Sequence, residues 1–144
     1  MGWQAALNRD GIVENVVFEL KDWPLVYIKF AGKQSAESLK FYQDSMEEVL
    51  AREEPHVVVH HIQEYKKEDA VFIRDMGEWM KKVQKRSSAY CKFLVIVPPS
   101  KAFSFVLSTV FLITPMPVPS KVTSNLDEAL TWAKDEIQRL GLKA

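Results

Sequence analysis

Pro55-His56-Val57-Val58-Val59-His60-His61-Ile62 contains an unbroken β-branched run, Val57 to Val59. A strand with one wet face alternates apolar and polar residues, whereas a continuous run suits a central strand covered on both faces by helices. This segment therefore reads as the middle strand of a layered α/β domain, and its neighbours should be helices.

The residues on either side meet that expectation. Upstream, Leu39, Tyr42, Met46, Val49 and Leu50 recur at helical spacing opposite Glu37, Lys40, Asp44, Glu47 and Glu48, predicting a helix from about Ser35, its cap, to Glu53. Before it, Ile12–Leu20 and Leu25–Phe30 are rich in valine, isoleucine and aromatics, with Lys21–Pro24 as the turn between two strands. Downstream, Phe72, Met76, Trp79, Met80 and Val83 form the apolar face of a second helix ending near Arg86.

Phe93–Val97 is the next apolar strand, stopped by Pro98 and Pro99, and Ser100 can cap a third helix running to about Thr114. Pro115, Pro117 and Pro119 then favour an extended path into a short edge strand around Lys121–Thr123. Ser124-Asn125-Leu126-Asp127 has a capping pattern, and Leu126, Leu130, Ala133, Ile137 and Leu140 share one face of a last helix that Gly141 ends. The order ββαβαβαβα predicts a single α/β domain over residues 1–144, with a mostly parallel, five-stranded mixed sheet and four helices.

Composition narrows the function classes. Lysine plus arginine (19) equals aspartate plus glutamate (19), so no general pull toward phosphates argues for nucleic acid. Cys91 is the single cysteine, and at the head of an apolar run it reads as a small buried hydrophobe. Residues 1–11 lack the basic and apolar pattern of a secretion signal, so a cytoplasmic address is expected. The longest apolar stretch, Ala102–Ile113, is interrupted by Ser104, Ser108 and Thr109 and is too short to span a bilayer.

The element order, together with Lys121-Val122-Thr123-Ser124-Asn125-Leu126-Asp127-Glu128-Ala129-Leu130-Thr131-Trp132, resembles the SpoIIAA-like proteins of the STAS/SEC14 group over nearly the whole chain. The resemblance implies a noncatalytic bacterial regulatory or ligand-binding module. Some relatives are anti-sigma-factor antagonists, and others are suspected of binding lipid-like molecules. The antagonists carry a phosphorylatable serine after the third strand, at the start of the next helix. Here Val57 to Arg86 contains neither serine nor threonine, and the loop reads Gln63-Glu64-Tyr65-Lys66-Lys67-Glu68-Asp69, so that switch should not transfer.

No catalytic, metal or cofactor signature stands out. His56 and His60 should share one face of the strand and His61 the other, so the three histidines do not converge. Gly32-Lys33-Gln34 lacks both the first glycine and the hydroxyl residue of a phosphate loop, and no Gly-x-Ser-x-Gly occurs. Adjacent carboxylates such as Glu47 with Glu48, and the basic cluster Lys81, Lys82, Lys85 and Arg86, read first as solvated helix faces.

The third predicted helix is more informative. Lys101, Ser104 and Ser108 form a polar stripe, while Ala102, Phe103, Val106, Leu107, Val110 and Ile113 lie opposite and suffice to dock it. Phe105, Phe111 and Leu112 flank the stripe without an evident core role, and Pro115 and Met116 follow. With Ser108, these residues are the candidate surface for a lipid-like apolar ligand or a protein partner. The alternatives are a self-associating scaffold that uses the patch as a homodimer contact, cover by the N-terminal Trp3 and Leu7, and an enzyme built around His60 and His61 with Glu64, Tyr65 or Glu68.

Overall fold

The computed structural model describes residues 12–13, 15–32, 34–64, 70–105, 108 and 118–143. The predicted opening strand folds back on itself at Asn15, which takes a left-handed φ of 65°, a conformation that asparagine tolerates better than most residues. The result is a hairpin of Ile12–Val13 (β1) and Val16–Glu19 (β2), with Ile12 opposite Val17. The turn holding Trp23 and Pro24 then leads to Leu25–Phe30 (β3), which runs antiparallel to β2 with Phe18 opposite Ile28.

From β3 onward the sheet is parallel. His56–Ile62 (β4) lies between β3 and Cys91–Val97 (β5), and Ser120–Val122 (β6) closes the far edge, so the spatial order β1-β2-β3-β4-β5-β6 follows the chain. The five expected strands are all present, and β1 is a two-residue addition split from the first of them. The β-branched run is the central strand: Val57, Val58 and Val59 are all buried.

Ala36–Ala51 (α1) begins at a capping box in which the Ser35 hydroxyl accepts from Ser38 N–H and the Ser38 hydroxyl accepts from Ser35 N–H. The second predicted helix is two helices, Ala70–Lys82 (α2) and Gln84–Tyr90 (α3), divided at Val83. Val83, on the same face as Trp79 and Met80, is buried at the break. Leu126–Leu140 (α4) is capped by Asn125, whose side chain accepts from Glu128 N–H at 3.0 Å. Glu128 does not return to the cap as a capping box requires, because its carboxylate accepts from the Thr123 hydroxyl at 2.7 Å. Gly141 ends α4 in the left-handed region, at φ 66°.

Alternation along the strands sorts the core into two layers. Val26, Ile28 and Phe30 of β3, Val58 of β4 and Leu94 of β5 join α1 and α2 on one face, with α3 at its margin. Leu25, Val57, Val59, Phe93, Val95 and Val97 meet α4 on the other.

Candidate functional site

The face under α1, α2 and α3 does not close completely. A cavity of about 280 Å³ lies between those helices and strands β4 and β5. Its floor and walls include Tyr42 and Met46 of α1, Trp79 and Met80 of α2, His60 and Leu94, with Val118 beside them. Gly77 also lines it, and a Cβ built there would meet nothing within 4 Å. Glycine in a helix interior is about 1 kcal/mol less favourable than alanine, so this position leaves open space at a cost in helix stability. A wider groove between α1 and α2, about 420 Å³, is lined partly by charged Lys40, Asp44 and Asp75 and is the more polar of the two.

Polar groups inside the cavity are few and neutral. Tyr42 Oη lies 3.3 Å from His60 Nε2, and both residues are buried. Desolvation pushes the His60 imidazole down to about 4 and holds the Tyr42 phenol well above its usual range, with a smaller contribution from Cys91. Burial likewise pushes the Cys91 thiol up to about 11, which fits its reading as a small hydrophobe, since the thiolate is the reactive form. Lys81 and Gln84 are exposed and mark the solvent side. The Lys81 ammonium stands 3.6 Å from Glu78.

The strand pairing separates the histidines as the period of two requires. His60 packs against Phe30 and Tyr42 on the helix-rich face. His61 turns to the opposite face, where its Nδ1 is 2.8 Å from Tyr27 Oη. His56 Nδ1 donates to the Glu54 carbonyl at 2.9 Å, and its ring stacks at a tilt against Trp23. That bond fixes the hydrogen on Nδ1 and leaves His56 Nε2, a buried acceptor, without a partner beside the equally unpartnered Trp23 Nε1–H. The described residues thus offer no convergent histidine site. Glu64 is exposed, and Tyr65 and Glu68 lie outside the described residues. Among the described residues no three His, Cys, Asp or Glu side chains gather closely enough to hold a metal ion.

Of the sequence-predicted site, Phe105 is 74% exposed in a helical turn at residues 101–105, and Ser108 is exposed and helical. Phe111, Leu112, Pro115 and Met116 lie outside the described residues, as do Trp3 and Leu7. Ala102, expected to dock inward, is exposed. One turn of a helix that follows Pro98 and Pro99 carries it on the outer side, together with Lys101.

Sequence reasoning passed over Tyr42, His60 and Gly77 as a group. Tyr42 and His60 carried only a weak signal, two polar-tipped rings at core positions. Gly77 lies at the margin of the apolar face of α2, about 60° beyond Met80, where no turn calls for a glycine.

The arrangement of strands can now be set beside known proteins. No protein-family profile and no curated protein sequence matches the chain. A crystal structure of an uncharacterised protein of the DUF3478 family from Shewanella loihica PV-4, described as having a SpoIIAA-like fold, superposes with a TM-score of 0.55 at 17% identity. The match covers 85% of this chain and 99% of that one. The fold is SpoIIAA-like. Within the SpoIIAA-like frame, the cavity lies beneath the helices that follow β3 and β4, and the β4–α2 connection has no serine or threonine to phosphorylate. No helix among the described residues is long and apolar enough to cross a membrane.

Proposed function

We propose that this chain is a noncatalytic STAS-like binding module that holds a lipid-like apolar molecule in the cavity between α1, α2, α3 and the sheet. The observation that carries this reading is the cavity itself: about 280 Å³, walled by Met46, Leu50, Trp79, Met80 and Leu94, with an open Gly77. The cleft is apolar and opens to solvent beside Lys81 and Gln84, so an apolar occupant that displaces water from its walls is favoured there. Ligand pockets have this character, predominantly apolar walls with a small number of placed polar groups. The surface from Phe105 through Ser108, Phe111, Leu112, Pro115 and Met116 is the second part of the proposal, an apolar contact for the same ligand or for a protein partner. The 74% exposure of Phe105 supports it.

Native mass spectrometry of gently purified protein, followed by organic extraction, tests both parts in one experiment. The expected result is a low-polarity compound released from the wild-type chain and absent from Gly77→Leu, whose side chain enters the cavity. A Gly77→Leu chain that still folds and retains the compound would remove the cavity from the proposal. A ligand-free homodimer dissociated by Phe105→Asp would assign the apolar surface to self-association instead.

A further inference from the structure

The cavity under α1, α2 and α3 has an apolar body and a polar mouth. Met46, Leu50, Trp79, Met80 and Leu94 supply walls, whereas Lys81 and Gln84 are exposed at the solvent side and Ser87 is half-buried beside them. Each of these last three side chains carries hydrogen-bond donors. Lys81 is the one lysine or arginine among the described lining residues, and no aspartate or glutamate joins it.

The chain around the mouth leans the same way. Trp79–Lys92 contains Lys81, Lys82, Lys85, Arg86 and Lys92 without an aspartate or glutamate, although the charges of the whole chain balance. Two acids approach from outside that segment. Glu47 of α1 is held by Arg86 at 2.6 Å. Glu78 stands 3.6 Å from Lys81, with both side chains largely exposed, and such a pair holds weakly and yields to a competing anion. Lys81 and Lys82 also end α2, where lysines complement the helix dipole. That role needs no cavity, and what sets Lys81 apart is its place on the border of the apolar cleft.

We infer that the occupant of the cavity is a long-chain carboxylate, with its tail along Met46, Trp79, Met80 and Leu94 and its head at Lys81 in the mouth. The inference rests on the reading of the cavity as a ligand site and names what that site selects. A head at the mouth stays in water and escapes the desolvation cost of a buried charge, while the tail takes apolar wall out of water. One ammonium with two neutral donors matches a single negative charge shared by two oxygens. The methionines suit a flexible tail, because their unbranched side chains adapt to irregular shapes.

Octanoate, octan-1-ol and octylammonium carry similar tails with negative, neutral and positive heads, and calorimetry reads their binding to the wild-type chain. Octanoate and octan-1-ol should compete for one site. Raising salt from about 0.01 M to about 1 M, which shortens the screening length roughly tenfold, should weaken octanoate about threefold and leave octan-1-ol no weaker. Lys81→Glu should weaken octanoate about tenfold, as the reversal of an exposed ion pair, and change octan-1-ol less than about twofold. The competition and salt series need only wild-type protein, so they decide the matter even if the variant does not fold. Octanoate indifferent to both salt and Lys81→Glu overturns the carboxylate head while leaving the cavity a site for apolar ligands. Octanoate that does not compete with octan-1-ol sits on surface lysines elsewhere and overturns it as well, as does tightest binding of octylammonium. Binding of none of the three probes overturns this inference and the ligand-site reading together.

Discussion

The two faces of the sheet are built from the same strands and covered in opposite ways. On one, α4 approaches through Ala129 and Ala133, both 0% exposed, and settles on Val57, Val59, Phe93, Val95 and Val97. Small side chains on the helix and β-branched ones on the sheet allow close approach and leave little space to fill. On the other, three helices share the work, and α1 and α2 present Tyr42, Met46, Trp79 and Met80. Large, irregular side chains leave gaps against the sheet, and Gly77 lines the space that remains. Packing tolerates this only where the remaining void has a use or a low cost.

The largest test of this contrast compares leucines of matching burial on the two faces. Leu25→Ala and Leu94→Ala should both destabilise, within the range of about 2–5 kcal/mol for such truncations. Leu94 lines the cavity, so urea denaturation should place Leu25→Ala near the upper end and Leu94→Ala near the lower. Equal losses would mean that the two faces are packed alike.

A second test uses acid. His60 titrates at about 4 in the folded chain and near 6.5 when unfolded. Between those values the unfolded chain binds a proton that the folded chain refuses. The stability contributed by neutral His60 is therefore complete above pH 6.5, falls as the pH drops toward 4, and levels off below. The loss amounts to about 3 kcal/mol. His56 and His61 are shifted in the same direction by burial, so the His60→Leu variant is needed to isolate the contribution. A wild-type profile no steeper than that of the variant would mean that water enters the cavity and hydrates the ring.

The smallest effects have opposite signs on the two faces. Ala133→Leu should drive a larger side chain into the closed layer and destabilise by about 1–3 kcal/mol. Gly77→Ala should stabilise by about 0.5–1 kcal/mol, since it adds helix propensity and its methyl group meets open space. Thermal unfolding of both variants checks the pair, and a destabilised Gly77→Ala would show that the space at α2 is needed for packing.

Much of the architecture was written in local pattern. The β-branched run of β4, the helical spacing of α1 and α4, the serine before α1 and the glycine after α4 each act through short-range sterics and hydrogen bonds, which is why they could be read one segment at a time. The split of the first strand at Asn15 and of the second helix at Val83 escaped that reading. The turn at Asn15 is held by a distant segment, since the Ala31 N–H donates to the Asn15 carbonyl, and Val83 is buried where the second helix divides.

The candidate site divides along the same line. Apolar character at Phe105, Phe111, Leu112 and Met116, and the absence of serine and threonine between Val57 and Arg86, are properties of the sequence by itself. That Tyr42 of α1 meets His60 of β4, that Gly77 opens onto them, and that the other two histidines are turned elsewhere were decided only by the tertiary structure. A strand's period of two assigns His60 to a face, but only the packing of the helices against that face leaves a cavity there.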